Sequence, residues 1–413
     1  MKKNKKLMEN TIMLYILTFS NYFFNFITIP YQTRILGPEI YGKIGFALAF
    51  ATYFKLFFDF GFILSATESI SKNRENKKYV SKILTSVNIL KFVFVAISSI
   101  ILCILLNSVT IFKQDKMLFF LFYLYVAIDC FQPDFLYRGM ENMKVITIRN
   151  VIVKSFFTVM IFLVLKSANQ YLYVPILNIL GSLISLIFVY YDVFTNMKIK
   201  PVKVDSKDLK ENFNQSKIYF FSRIASTVYS ATNTFILGFV YPSSNILGYY
   251  SSSDKILTAA RSAVTPISDS VYPYMVKNKD FKLIKKLLKI FMPIIGCGCL
   301  ILFIFAEPIC VLLFGKQYAS TSIILRFMIP IIFITLPSYL LGFPTMSPLG
   351  LKNEANLSVI FAASIHLVII GILYIYKILN IYSICILTIF TEFIVLGLRI
   401  YFILRKRSVK NEK

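Results

Sequence analysis

Residues 72–107 read KNRENKKYVSKILTSVNILKFVFVAISSIILCILLN. A basic cluster, Lys72 to Lys82, leads into an apolar stretch, Val80 to Asn107, long enough to cross a bilayer as a helix. The same alternation recurs along the chain. Apolar spans are expected at Thr11 to Gln32, Tyr41 to Ser65, Val80 to Asn107, Met117 to Tyr137, Ile146 to Leu165 and Tyr171 to Phe194. A second set follows at Ser216 to Val240, Ile246 to Val276, Leu287 to Phe314, Thr321 to Met346, Ala355 to Tyr376 and Asn380 to Leu404. The expected fold is an all-α polytopic membrane protein of about twelve transmembrane helices. Its organisation reads as an N-terminal six-helix lobe (1–194), a cytoplasmic linker (195–215), a C-terminal six-helix lobe (216–404) and a basic cytoplasmic tail (405–413).

Composition agrees with that class. Hydrophobic residues make up 57% of the 413 and the net charge is +25, with a mean hydropathy of +0.69. In a soluble protein such a charge would suggest nucleic acid, but its position settles the matter. Roughly 30 of the Lys and Arg residues fall in loops on the amino-terminal side and about 7 in the opposite loops, which orients both termini to the cytoplasm of a bacterial inner membrane. Attraction to anionic membrane lipids follows from the same clusters, and nucleic-acid binding does not. The basic start leads into a full-length first span without a small-residue cleavage site, so no cleavable signal peptide is read. Trp is absent, leaving Tyr and Phe to supply any interfacial belt.

The two halves repeat. Ile35-Leu36-Gly37 returns as Ile236-Leu237-Gly238, and Tyr41-Gly42 as Leu247-Gly248. Pro133, Gly139 and Asn142 return at the same internal spacing as Pro344, Gly350 and Asn353. Parallel repeats of this kind build two-lobed transporters.

Polar side chains line up on particular spans. Thr18, Asn21, Asn25, Thr28 and Gln32 occupy one helical stripe, and Tyr219, Ser222, Ser226, Tyr229 and Asn233 form its counterpart in the second half. Ser251, Asp254, Thr258, Arg261, Thr265, Ser268 and Tyr272 continue through the eighth span, while the second offers Thr52, Lys55 and Asp59. These stripes suggest a water-filled central cavity between the lobes; the alternative is helix-to-helix hydrogen bonding. At the repeat offset Thr52 falls on Thr258 and Lys55 on Arg261, each cation about 20 Å down its helix from the opening glycine. A charge at that depth is costly and usually marks a substrate path. The structural alternatives are internal pairs, Lys55 with Asp59 and Arg261 with Asp254. Arg223 reads either as a cavity-mouth cation or as a snorkelling residue. Asp129, Asp269 and Glu392 are candidates for ion coupling or for pairing with cations. Lys91, Lys154, Arg326 and Arg399 read as interfacial, and the lone histidine, His366, as a packed neutral imidazole rather than a proton relay.

Catalytic and cofactor motifs do not emerge. There is no phosphate-cradling Gly-Lys-Ser/Thr loop, no His-Glu-x-x-His, and no Ser, His and Asp set at useful spacing. Cys103, Cys130, Cys297, Cys299, Cys310 and Cys385 lie in or beside apolar spans and read as packing residues, not disulfides or a metal site. The loops are too short for a catalytic domain. The reading is of a transporter, not an enzyme, with no cofactor and no metal.

Several segments resemble the Wzx-type polysaccharide flippases of the multidrug/oligosaccharidyl-lipid/polysaccharide exporter superfamily. The resemblance covers nearly the whole chain and is carried by Arg34-Ile35-Leu36-Gly37-Pro38-Glu39-Ile40-Tyr41-Gly42, by Asp59-Phe60-Gly61-Phe62 with Ser65 to Ser71, and by Pro133 to Lys144. Leu247-Gly248-Tyr249-Tyr250-Ser251 and Leu313-Phe314-Gly315 with Tyr318 also fit. The family usually carries Trp and Gln where this chain has Phe135 and Arg138, so no role transfers to those two. The resemblance implies an O-antigen, capsule or related glycan flippase moving undecaprenyl-pyrophosphate-linked oligosaccharide repeat units between leaflets by alternating access. A polysaccharide polymerase and a chain-length regulator would be its partners. Lys55 and Arg261, with Arg223, would draw in the pyrophosphate, and Asn21, Asn25, Thr52 and Thr258 would bond the sugars. Rival readings are a drug or organic-cation antiporter of the same superfamily, whose cavity should present carboxylates, and a membrane glycan polymerase.

The lysine asymmetry makes a topology prediction. In a Cys-free variant, single cysteines at Ser108, Ser167, Ser244 and Ser320 should react with an impermeant thiol reagent applied to intact cells, whereas those at Asn73, Ser206 and Asn278 should not. Labelling of the second group would overturn the span assignment.

Overall fold

The computed structural model describes residues 2–411. The side chains of residues 2–8, 11, 218, 221–223, 225–230, 273 and 407–411 lie outside that description, so Arg223, Ser222, Ser226 and Tyr229 fall outside the described residues. Helix accounts for 87% of the chain, and no strand occurs among the described residues. The all-α expectation is met.

In chain order the helices of the first half are α1 (Lys2–Asp59), α2 (Phe62–Lys72), α3 (Lys77–Ser108), α4 (Thr110–Gln114), α5 (Lys116–Asp129), α6 (Asp134–Gly139), α7 (Met143–Val164) and α8 (Tyr173–Thr195). There follow α9 (Ser206–Val240), α10 (Asn245–Asn278), α11 (Phe281–Ile304), α12 (Ala306–Phe314), α13 (Thr321–Leu341), α14 (Phe343–Met346), α15 (Lys352–Ile375) and α16 (Ile381–Asn411). Among the described residues nine runs are long and apolar enough to cross a membrane. The first of these, Ile12–Lys72, contains both the first and the second sequence-read spans. α10 is long enough but too polar to be counted, because its stripe of hydroxyls and charges lowers the mean, and of α9 the described residues contribute the shorter apolar run Ala231–Val240.

Local sequence explains where helices begin and bend. Asn76 caps α3 by accepting from the Tyr79 N–H at 3.0 Å, and Asp280 caps α11 by accepting from Lys282 and Leu283. Where a loop was expected between the first two spans, α1 runs on and bends at a single residue. Gly37 has φ 72° and ψ 169°, a conformation that a side chain would strain. The linker expected at 195–215 is helical from Ser206 onward. Spans four and ten are each broken near the repeated proline: α5 stops and α6 restarts after Pro133, and α13 stops at Gly342 before α14, which carries Pro344 in its first turn.

The chain divides into two compact units, Met1–Leu36 with Phe46–Thr227 and Gly37–Gly45 with Val228–Lys413. In the first, aromatic rings from α1, α4 and α5 interlock: Phe50 lies 4.8 Å from Phe112 and 5.3 Å from Phe119. Each such pair adds about 0.5–1.5 kcal/mol to simple area burial. Phe60 stacks on Phe213 and Phe220 at 4.8 and 4.5 Å, seating the start of α9 against the end of α1. Lys82 bonds Asp208 at 2.9 Å and holds that carboxyl below the usual carboxylate range, helped by the Asp205 backbone N–H. In the loop after α2, a hydrogen bond to Glu141 raises the Arg74 guanidinium still further.

In the second unit α10 packs on α13, and α13 on α11 and α16. Val264, Met275, Ile284, Leu336 and Leu340 form one of its buried clusters. The opposite faces are apolar and exposed: only 6% of the most apolar window of α11 is buried, with Leu300 and Ile304 outward. A soluble protein would not leave such a face to water, whereas lipid accepts it.

Within this unit the two repeat glycines meet. A Cβ on Gly248 would lie 1.9 Å from the Pro38 carbonyl oxygen, and one on Gly42 would lie 2.6 Å from the Gly248 nitrogen. Gly248→Ala should therefore destabilise by about 1–3 kcal/mol through overpacking and lower the melting temperature of the purified protein by several degrees. Gly298→Ala, with nothing within 4 Å, is the control and should leave it unchanged or raised. Equal behaviour of the two variants would contradict the contact.

Candidate functional site

In the first unit the site grows from the break between α5 and α6. Asp129 is the last residue of α5, and its Oδ2 lies 2.8 Å from the Lys55 ammonium on the second leg of α1. The two side chains are 42% and 25% exposed, so the pair is reachable rather than sealed. The partner expected from sequence was Asp59, one turn along. That residue adds to the field at Lys55, but the contact is made by a helix 74 residues away. Thr52 donates to the Leu48 carbonyl of its own helix at 2.8 Å.

The same break needs a second cation. Where α5 stops, the Cys130 carbonyl is left without a helical donor, and the buried Lys91 donates to it while standing 5.4 Å over the Phe135 ring. Lys91 is therefore interior, not interfacial as expected, because a carbonyl end of a helix attracts a cation. Beyond the break Arg149, 8% exposed, forks onto Asp134 at 2.6 Å and donates to the Gln132 side-chain oxygen at 3.2 Å. A cavity of about 80 Å³ opens beside it, lined by Asp129, Gln132, Arg149, Asn150, Lys154 and Asn178 among others. The expected interfacial Lys154 thus faces a polar cavity. Asn150 Oδ1 is buried with no protein donor.

The second unit shows a related arrangement. Arg261 on α10 bonds Glu392 on α16, at 24% and 13% side-chain exposure. The expected partner, Asp254, is half-buried about two turns earlier, while Asp269 and Thr258 are exposed. One residue from Glu392, Thr391 joins a buried network in which His366 meets Thr391 Oγ1 at 2.8 Å and Asn233 Oδ1 at 2.9 Å, and Asn233 donates to Thr388. At the end of α13, Arg399, 8% exposed, donates to the Ser338 carbonyl and to the Ser338 and Ser358 hydroxyls. It is interior, not interfacial as expected, because a carbonyl and two hydroxyls on α13 and α15 satisfy the guanidinium there. Arg326 is half-buried and donates to the Phe303 carbonyl at 3.1 Å.

Sequence reasoning counted Asp129 and Glu392 among the carboxylates that could pair with cations but assigned Asp59 and Asp254 to Lys55 and Arg261. Lys55 and Arg261 are equivalent by repeat, yet Asp129 and Glu392 come from non-equivalent helices, so no repeat offset could have matched them. Asn21 is half-buried and Asn25 exposed on the first leg of α1, and each lies apart from the two ion pairs in the hydrogen bonds described. Arg149 and Asp134 were also missed. An arginine just inside an apolar run, fifteen residues after an aspartate at a proline break, was the available signal.

Chemically, each unit offers one partly exposed cation held by a carboxylate from another helix, Lys55 with Asp129 in the first and Arg261 with Glu392 in the second. Among the described residues no group of three or more His, Cys, Asp or Glu is placed to hold a metal. All six cysteines are free thiols.

Residues 7–279 match the family described as Polysaccharide biosynthesis protein. The chain is 27% identical over 381 residues to a protein of Escherichia coli (strain K12) named "Putative O-antigen transporter", covering 90% of this chain and 91% of that one. It is 25% identical over 368 residues to a protein of the same name from Shigella dysenteriae, covering 87% and 91%. Among solved structures, an inward-facing multidrug resistance MATE family transporter of the MOP superfamily aligns with a TM-score of 0.70 at 14% identity, covering 97% of both chains. The lipid II flippase MurJ in an inward closed conformation aligns with a TM-score of 0.70 at 12% identity, covering 96% of this chain and 87% of that one. The residues quoted from the sequence and these matches agree: the chain belongs to the polysaccharide biosynthesis protein family and has the polytopic all-helical fold of the MOP-superfamily transporters.

Proposed function

We propose that this protein is a flippase that moves undecaprenyl-pyrophosphate-linked oligosaccharide repeat units from the inner to the outer leaflet of the bacterial plasma membrane. The observation that carries this reading is the pair of repeat-equivalent cations, Lys55 and Arg261, each held by a carboxylate from another helix. A pyrophosphate brings its own negative charge and can take the place of Asp129 or Glu392, so the cation is never left alone in a low-dielectric setting. An organic-cation substrate would need the reverse arrangement. The exposed or half-buried amides and hydroxyls of Asn21, Asn25, Thr52 and Thr258 suit sugars, whose hydroxyls both donate and accept.

In this reading α9 and α10 also cross the membrane, and their polar stripes serve the cargo. Twelve spans then form the two six-helix lobes, 1–194 and 216–404, with both termini in the cytoplasm, and alternating access of the lobes carries the head group across. The names of the curated relatives support a glycan cargo, and the lipid carrier comes from the family resemblance. A polymerase and a chain-length regulator would act on the delivered unit. No bond of the substrate is made or broken.

Deleting the gene should leave synthesis of the lipid-linked repeat unit intact while surface glycan falls at least tenfold, with the unit accumulating on the cytoplasmic leaflet. Extraction of lipid-linked intermediates, with leaflet assignment by an impermeant glycan-oxidising reagent, checks this. Absence of the lipid-linked unit would point to an enzyme of assembly instead, and drug sensitivity with normal surface glycan would point to an antiporter.

A further inference from the structure

Within the first unit, where α8 passes into the linker, lies an apolar groove of about 360 Å³. Its walls include Leu84, Ile89 and Phe92 of α3, Phe131 at the break after α5, Phe194 at the end of α8, and Pro201. Ile89, Phe92 and Phe194 are 39%, 67% and 39% exposed, so the groove opens away from the core. Only 22% of the most apolar window of α3 is buried, and in a membrane the rest of that helix meets lipid chains. The groove is a recess in a lipid-facing surface.

The sequence sets its depth. Leu84 and Phe92 stand roughly 10 and 22 Å along α3 from its first residue, Lys77. In the orientation that the lysine asymmetry predicts, this stretch lies in the cytoplasmic leaflet, the side on which anionic head groups attract clustered lysines. The groove also has a basic rim. Residues 196–204 read NMKIKPVKV, with three lysines and no carboxylate. Ile199, 1% exposed, turns inward while its N–H donates to the Val193 carbonyl at 3.0 Å, and the Val202 N–H donates to the Thr85 hydroxyl at 3.2 Å. These bonds lay the linker across the ends of α8 and α3. Lys198, Lys200 and Lys203 are left exposed, with no hydrogen-bond or ion-pair partner among the described residues. Lys200 directly precedes Pro201, which lines the groove.

An occupant therefore needs a chain-like apolar body in the recess and a negative charge at its basic rim. We propose that the groove binds one anionic phospholipid of the cytoplasmic leaflet, an acyl chain lying between α3 and α8 and the phosphate meeting Lys200 and Lys203. Such a lipid would fasten the linker to the two helices that flank it. The tail of a lipid-linked cargo is the rival occupant, but the groove shares no lining residue with the polar cavity around Asp129 and Arg149. A resident lipid needs no path between the two. The site stands apart from the flippase reading, since it depends on the membrane-spanning fold and not on what is moved.

The test uses the full chain purified in detergent, with phosphatidylglycerol as the anionic probe and phosphatidylcholine as the zwitterionic one. Native mass spectrometry should find one phosphatidylglycerol retained per chain, and adding that lipid should raise the melting temperature by several degrees where phosphatidylcholine does not. Lys200→Gln with Lys203→Gln should weaken phosphatidylglycerol binding by about tenfold to thirtyfold. Ile89→Trp, which puts a ring into the groove, should remove the temperature rise with both lysines in place. Lys282→Gln with Lys286→Gln, exposed lysines of α11 in the second unit, is the charge-matched control and should change neither readout. Equal stabilisation by the two lipids, or equal losses in the linker and α11 variants, would overturn the proposal. Displacement of phosphatidylglycerol by undecaprenyl phosphate at equal concentration would assign the groove to the cargo's tail and overturn it as well.

Discussion

Inside a bilayer, a backbone carbonyl that has lost its helical donor or a charge that has lost its partner has no water to turn to. Much of the interior chemistry of this protein follows from that constraint. The break near Pro133 frees a carbonyl group within a span, and the buried Lys91 donates to it at Cys130. In the other unit the buried Arg399 is held by the Ser338 carbonyl, which also accepts from the Gly342 N–H, and by the Ser338 and Ser358 hydroxyls.

The ion pairs obey the same rule with a different margin. Lys55 with Asp129 and Arg261 with Glu392 are more exposed than Lys91 and Arg399, and each is made between different helices rather than within one. A pair of this kind holds a costly charge in place without sealing it. The sealed cations read as structural, and the more open pairs carry the proposed function. Since the counterions are not repeat-equivalent, the two units present their cations in different settings.

Periodicity made the helices legible in the sequence, since it depends on neighbours only a turn away, but not all of their ends: α1 runs through the first expected loop, and the expected fourth and tenth spans break near their prolines. The repeat identified the glycines that meet at Gly42 and Gly248 and the matched cations. Partners across helices were not legible. Lys55 has a carboxylate four residues on, and local spacing favoured it, but the fold brings Asp129 from 74 residues away. Lys91 and Arg399 were misplaced for a related reason: a hydropathy profile registers a cation near the end of a span but not the oxygens of other helices that hold it inside. The His366 network was not legible because its members are scattered over 158 positions, from Asn233 to Thr391.

The central claim is that Lys55 and Arg261 serve the substrate and not only their carboxylates. The most direct test is glycan export in cells carrying Lys55→Gln with Asp129→Asn, or Arg261→Gln with Glu392→Gln, at wild-type abundance and thermal stability. Each double variant removes a whole pair and leaves no unpaired charge, so a purely structural role predicts normal export. Loss of a charge-assisted contact to a pyrophosphate predicts a fall of about tenfold to a hundredfold, from roughly 1.5–3 kcal/mol per contact. Export at the wild-type level in both double variants would contradict the account.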